Sequence, residues 1–115
     1  MTTIKLTREQ ILAAQLRRQQ VFVPQWNGEV TICEFPVAKR NELMASVLGD
    51  DGKTKVSPDI ELRLFIAGMY EPAFTPQDAA ELQVVSGAAV SMVAQEIMKL
   101  NGMDASAQDG ARGES

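Results

Sequence analysis

Apolar side chains change their spacing several times along the chain, and each change marks a predicted element. A first helix starts at Thr7, whose hydroxyl is placed to accept the Gln10 amide while the Gln10 side chain returns to the Thr7 N–H, a capping box. Leu6 and Ile11 flank that cap as a hydrophobic staple. The stripe of Ile11, Leu12 and Leu16 is narrow and runs into Arg17-Arg18-Gln19-Gln20, so this helix reads as short, peripheral and largely solvated. Residues 21–35, VFVPQWNGEVTICEF, then form two β-rich runs across Asn27-Gly28, a hairpin signal. A two-residue loop would put Pro24 opposite Thr31 at a hydrogen-bonded position, where proline has no N–H to give. A loop of Trp26, Asn27 and Gly28, with Gly28 left-handed, moves Pro24 opposite Val30 and is the preferred register. It gathers Phe22, Pro24, Val30 and Ile32 on one face and Val21, Val23, Thr31 and Cys33 on the other. Neither face is plainly polar, which leaves open what covers the second one.

Beyond the hairpin the period is helical. Pro36 suits the first position of a second helix, with Val37, Leu43, Met44, Val47 and Leu48 as its buried stripe and Lys39, Arg40 and Glu42 facing solvent. Residues 49–57, GDDGKTKVS, have the composition of an exposed loop. Asp50-Asp51-Gly52 lacks the ligand spacing and closing glutamate of a calcium loop. Ser57-Pro58-Asp59 caps a third helix, apolar on nearly every side from Ile60 to Tyr70 and stopped by Glu71-Pro72. Thr75-Pro76-Gln77-Asp78 starts a short fourth helix with a reciprocal cap. Ser86-Gly87 interrupts it and opens a last helix in which Ala89, Val93, Ile97 and Leu100 recur before Asn101-Gly102. Residues 103–115, MDASAQDGARGES, hold almost nothing to bury and read as a disordered tail, which leaves Met103 outside the core. The expected fold is a small, predominantly helical α+β domain over residues 1–102, with about five helices and one hairpin. Met92 lies on the buried side of the last helix, while Trp26 at the hairpin tip is either a lid on the chain's own core or an anchor for a partner.

Composition narrows the function classes. At 115 residues the chain holds one domain, and its 45% hydrophobic and 23% charged content is ordinary for a globular one. A net charge of -4 and a pI near 4.8 disfavour nucleic acid as a partner, and Arg17-Arg18 is too thin a basic cluster for a DNA-binding regulator. No apolar run approaches the roughly 20 residues of a spanning helix, so no membrane insertion is expected. A single cysteine excludes an intrachain disulfide, and no leader pattern opens the chain, which suits a reducing cytoplasm. The chain has no histidine, the commonest general base, and hence no partner to activate Cys33, which reads as a small apolar residue. Neither the usual zinc sets nor a glycine-rich phosphate loop occurs. These observations predict no enzyme, no cofactor and no metal.

The order of motifs is more specific. The segments VFVPQWNGEVTICEFPVAKRNEL, IELRLFIAGMYEPAFTPQDAAEL and SGAAVSMVAQEIMKLNGM together resemble the tail assembly chaperones of tailed bacteriophages and prophages. The V-x-V-P-x-W-x-G-x-V hairpin of that family is matched by Val21, Val23, Pro24, Trp26, Gly28 and Val30. Its F-x-x-x-D-x-x-x-L segment is matched by Phe74, Asp78 and Leu82, and its terminal asparagine-glycine pair by Asn101-Gly102. The resemblance runs from about residue 21 to 103. The chain departs from the pattern at Asn27-Gly28, where the family often has two glycines, and at Pro36, where a serine or threonine cap is frequent. The resemblance implies a non-catalytic cytoplasmic factor that binds the tape measure protein and assists assembly of the tail tube protein around it. A hairpin face or strand edge left unpaired offers a seat for such a partner or for another copy of the chain. The family also contains members extended by ribosomal frameshifting near the C-terminus. On this reading the partner surface is the hairpin, through Val21, Phe22, Val23 and Trp26, unless the first helix folds back over it. The alternative function is a structural tail subunit, a tube or completion protein that stays in the virion, although tube proteins are rich in strands and this chain reads helical.

Overall fold

The computed structural model describes residues 3–47 and 58–103. It shows the expected mixed α+β class: helix α1 (Arg8–Ala13), strands β1 (Arg18–Val23) and β2 (Gly28–Cys33), helices α2 (Val37–Val47) and α3 (Pro58–Gly68), strand β3 (Met69–Glu71) and helix α4 (Gly87–Leu100). The expected fourth helix is present as two short 3-10 turns, Pro76–Ala79 and Glu81–Val84. The Leu48 end of α2, the Ser57 cap, the Asp50-Asp51 loop and the tail beyond Met103 lie outside the described residues.

Local capping explains most of the helix starts. At α1 the Thr7 hydroxyl accepts the Gln10 N–H at 3.2 Å and Gln10 Oε1 accepts the Thr7 N–H at 2.9 Å. The Ser86 hydroxyl accepts the Ala89 N–H at 3.1 Å to start α4. Before the first 3-10 turn, Asp78 Oδ2 accepts the Thr75 N–H at 2.7 Å.

Four expectations are corrected by long-range pairing. First, α1 ends at Ala13 and Arg18 to Gln20 are strand, because Arg17 is already tied to Glu34 by two 2.8 Å bonds, one from each backbone N–H. Second, the hairpin register differs by three residues: Val21 faces Val30 and Val23 faces Gly28, with Pro24 to Asn27 forming the turn. Pro24 thereby leaves the ladder altogether, and the left-handed position falls on Asn27 (φ 49°) instead of Gly28. An odd shift exchanges the faces. Val21, Val23, Val30 and Ile32 now share the inner face, while Phe22 and Glu29 stand on the outer one. Third, the helical run ends at Gly68, and Met69–Glu71 becomes a third strand on the free edge of β2, giving the antiparallel order β1-β2-β3. Fourth, Val37 is exposed, and Arg40 points inward to donate from Nε to the Asn101 carbonyl at 2.8 Å and from Nη2 to the Gly102 carbonyl at 3.1 Å.

The core lies between the inner face of the sheet and the pair α3 and α4, built on Val23, Ile32, Leu43, Val47, Leu64, Phe65, Val93 and Ile97. Met92 packs against it as expected, half-buried. α4 closes in a Schellman motif: the Met103 N–H donates to the Met98 carbonyl at 2.8 Å, the Gly102 N–H to Lys99 at 3.2 Å, and Gly102 takes φ +64°. That turn drives Met103 into the interior, fully buried, where the sequence alone left it in the tail.

α3 and α4 approach most closely at Gly68, where an added Cβ would fall 2.6 to 2.8 Å from three side-chain atoms of the fully buried Ile97. Gly68→Ala is therefore expected to destabilise the fold by about 1–3 kcal/mol through overpacking, despite alanine's better helix propensity. Urea denaturation measures this. A Gly68→Ala protein at least as stable as the parent would contradict the close contact.

Candidate partner-binding surface

The four residues expected to form the partner surface do not lie on one face. Val21 (7% exposed) and Val23 (0%) belong to the core, because the observed register turns them inward. Phe22 is exposed on the outer sheet face, with Arg18 stacked over Tyr70 at 3.9 Å and Cys33 half-buried on the same face. Nothing from α1 covers that face, since every described residue from 3 to 18 is exposed. Trp26 sits at the hairpin tip and packs its ring edge-on against Phe65, with centroids 6.2 Å apart. It retains 39% exposure, so it is both a lid on Phe65 and part of the surface.

Beside Trp26 the fold leaves an open groove of about 360 Å³. Its walls are Trp26 and Val30 from the hairpin, Phe65 from the end of α3, Met69 from β3, and Phe74 with Val85 from the segment before α4. Phe65 and Phe74 lie 5.5 Å apart, so three aromatic rings follow one another along it. Asp78 and Glu81 also line it, and among the described residues no cation does. Such a groove accepts apolar side chains from a helix or extended segment and prefers lysine or arginine beside them. Sequence reading found Trp26 and quoted Phe74, but Phe65, Met69 and Val85 are supplied by three separate segments that only the tertiary fold brings together.

A second unpaired apolar feature is the arm of residues 3–17. Ile4, Leu6, Ile11, Leu12 and Leu16 are 43–68% exposed, and α1 buries no residue. Covering five such side chains would release on the order of 5 kcal/mol that the isolated chain leaves unused. Among the described residues no group of three or more potential ligands is placed to hold a metal ion, and no helix is long and apolar enough to cross a membrane. No protein-family profile, curated protein or solved structure matches the chain.

The two sides of β1 should respond differently to substitution. Val23→Ala, at a fully buried position, is expected to cost about 2 kcal/mol, whereas Phe22→Ser on the open face should stay within about 0.5 kcal/mol of the parent. Chemical denaturation of both variants checks the register; the reverse ranking would place Phe22 instead of Val23 on the inner face.

Proposed function

We propose that the protein is a bacteriophage or prophage tail assembly chaperone: a non-catalytic factor that binds the tape measure protein in the host cytoplasm and assists assembly of tail tube subunits around it. The observation that carries this reading is the open groove walled by Trp26, Phe65 and Phe74 and edged by Asp78 and Glu81. It has the shape and chemistry for an amphipathic helix, the form of a tape measure protein, presenting apolar side chains at helical spacing beside basic ones. The motif order from residue 21 to 103 supports the same assignment. The groove replaces the hairpin faces as the contact surface, with Trp26 retained from the expected set, Phe22 placed on the opposite side, and Val21 and Val23 removed.

Work done by such a surface is burial. A long apolar client kept in solution before assembly needs its stripe covered reversibly, and an open groove does this without trapping the client.

The test is titration of a tape measure fragment from the same phage or prophage into the parent, Trp26→Ala and Phe22→Ala proteins. An aromatic anchor at the centre of a contact is worth at least about 2 kcal/mol, so Trp26→Ala should weaken binding roughly 30-fold while Phe22→Ala leaves it unchanged. Parent-like binding by folded Trp26→Ala with loss in Phe22→Ala would move the contact to the outer sheet face. Recovery of the protein from purified virions would replace the chaperone assignment with that of a structural subunit.

A further inference from the structure

We propose that a second depression, walled by α2, α3 and the 3-10 turn Pro76–Ala79, is a separate docking site for an acidic amphipathic helix of a partner chain. The inference goes beyond the client groove beside Trp26: it concerns another surface, of opposite charge, and does not rest on which client the protein serves. The depression is open and holds about 480 Å³. Its floor comes from α3, where Leu62, Ile66 and Ala67 stay only half-buried while Leu64 and Phe65 on the other side of the helix are in the core. Leu62 with Ile66 and Arg63 with Ala67 form rows one turn apart, the ridge spacing against which a helix packs, and Ala67 is small enough to let one come close. Met69 and Phe74 wall both depressions, but the 3-10 turn divides them: Asp78 lines the first, Pro76 and Ala79 the second.

Charge selects the occupant. The charged side chains lining the second depression are Lys39 and Glu42 from α2 and Arg63 from α3. Lys39 Nζ lies 3.6 Å from Glu42 Oε2, and Arg63 Nη2 lies 4.0 Å from Glu42 Oε1. One carboxylate against two cations leaves a positive charge there, whereas Asp78 and Glu81 make the first groove negative. Donors are also left over. An ammonium has three N–H donors and a guanidinium five, and the contacts to Glu42, with the 3.2 Å bond from Arg63 Nη1 to Ser46 Oγ, use a minority of them. An incoming carboxylate is therefore received without displacing Glu42. Because the Lys39 and Arg63 side chains are 44% and 52% exposed, their part is to choose and orient the partner, while the apolar floor supplies the buried area. A helix with glutamate or aspartate beside an apolar stripe meets both requirements, and a basic one is repelled.

The experiment titrates two labelled synthetic helical peptides into the full chain, identical in their leucine stripe, one with glutamates and the other with lysines on the polar face. Anisotropy of the label reads binding. Emission of Trp26, the only tryptophan and a wall of the first groove but not of the second, reads which site is filled. The glutamate peptide should bind the parent without moving Trp26 emission, and more weakly as salt rises, whereas the lysine peptide should shift that emission. Lys39→Glu with Arg63→Glu changes only exposed residues and should weaken the glutamate peptide roughly tenfold, with the Trp26 response to the lysine peptide unchanged. Lys39→Gln with Arg63→Gln is the second variant should charge reversal disturb the fold, with a loss of roughly threefold expected. A parent that does not bind the glutamate peptide, a charge-reversed protein that binds it as tightly, or a Trp26 shift when it binds overturns the proposal. Tape measure fragments titrated into the Lys39→Glu/Arg63→Glu protein meet an intact first groove, so the two sites fail or succeed separately.

Discussion

Three elements meet at the buried carboxamide of Asn101, and the rest of the fold is arranged from that point. Its Oδ1 accepts the Phe35 N–H at 2.7 Å, fixing where the hairpin ends, and its Nδ2 donates to the Ile97 carbonyl at 2.9 Å, closing α4. Its own carbonyl accepts from Arg40, which draws α2 against the same helix end. An asparagine 8% exposed is tolerable only because both ends of its amide are paired. With the open end of the hairpin held on the C-terminus of α4, β1 and β2 lie across the helix and their inner valines meet Val93 and Ile97 in one core. Gly68 lets α3 come close to Ile97 from the other side, and α3 then presents Phe65 to Trp26 at the hairpin tip. The groove is therefore a consequence of a junction at the far end of the sheet.

That arrangement has a functional meaning. The core is satisfied internally, yet the tip of the hairpin and the segment before α4 leave Phe74 and Val85 only half-buried beside the part-exposed Trp26, and the N-terminal arm buries nothing. For the proposed chaperone, apolar surface left open in two places of a small acidic domain would serve reversible contact with other chains. The two carboxylates that line the groove, Asp78 and Glu81, repel acidic segments and favour basic ones.

Legibility in the sequence followed the range of the interactions. Thr7 with Gln10, Asp78 with Thr75, Ser86, and the Asn101-Gly102 turn act within a few residues, and each was readable from spacing alone. The hairpin was legible as a hairpin, but its register was not. Asn27 takes the left-handed conformation that glycine usually supplies, and a four-residue turn removes Pro24 from the ladder, so Val30 and Ile32 share a face with Val21 and Val23 instead of with Phe22. β3 was hidden because Met69 to Glu71 continue an apolar helical run and become strand only where β2 offers an edge. Arg40 and Met103 look like surface residues until the end of α4 gives one a pair of carbonyls and the other a pocket. At the candidate site, Trp26 could be read as an anchor, whereas Val21 and Val23 were misplaced by the same register error, and the remaining walls come from positions far apart in the chain.

The central claim, that client chains are met at the groove, is tested most directly by photo-crosslinking in cells that make the tape measure and tail tube proteins. A photoreactive residue is placed in turn at Glu81, on the groove edge, and at Gln20, on the outer sheet face, both exposed positions. The account predicts an adduct with the tape measure protein from position 81 and none from position 20. An adduct from position 20 with none from position 81 would contradict it.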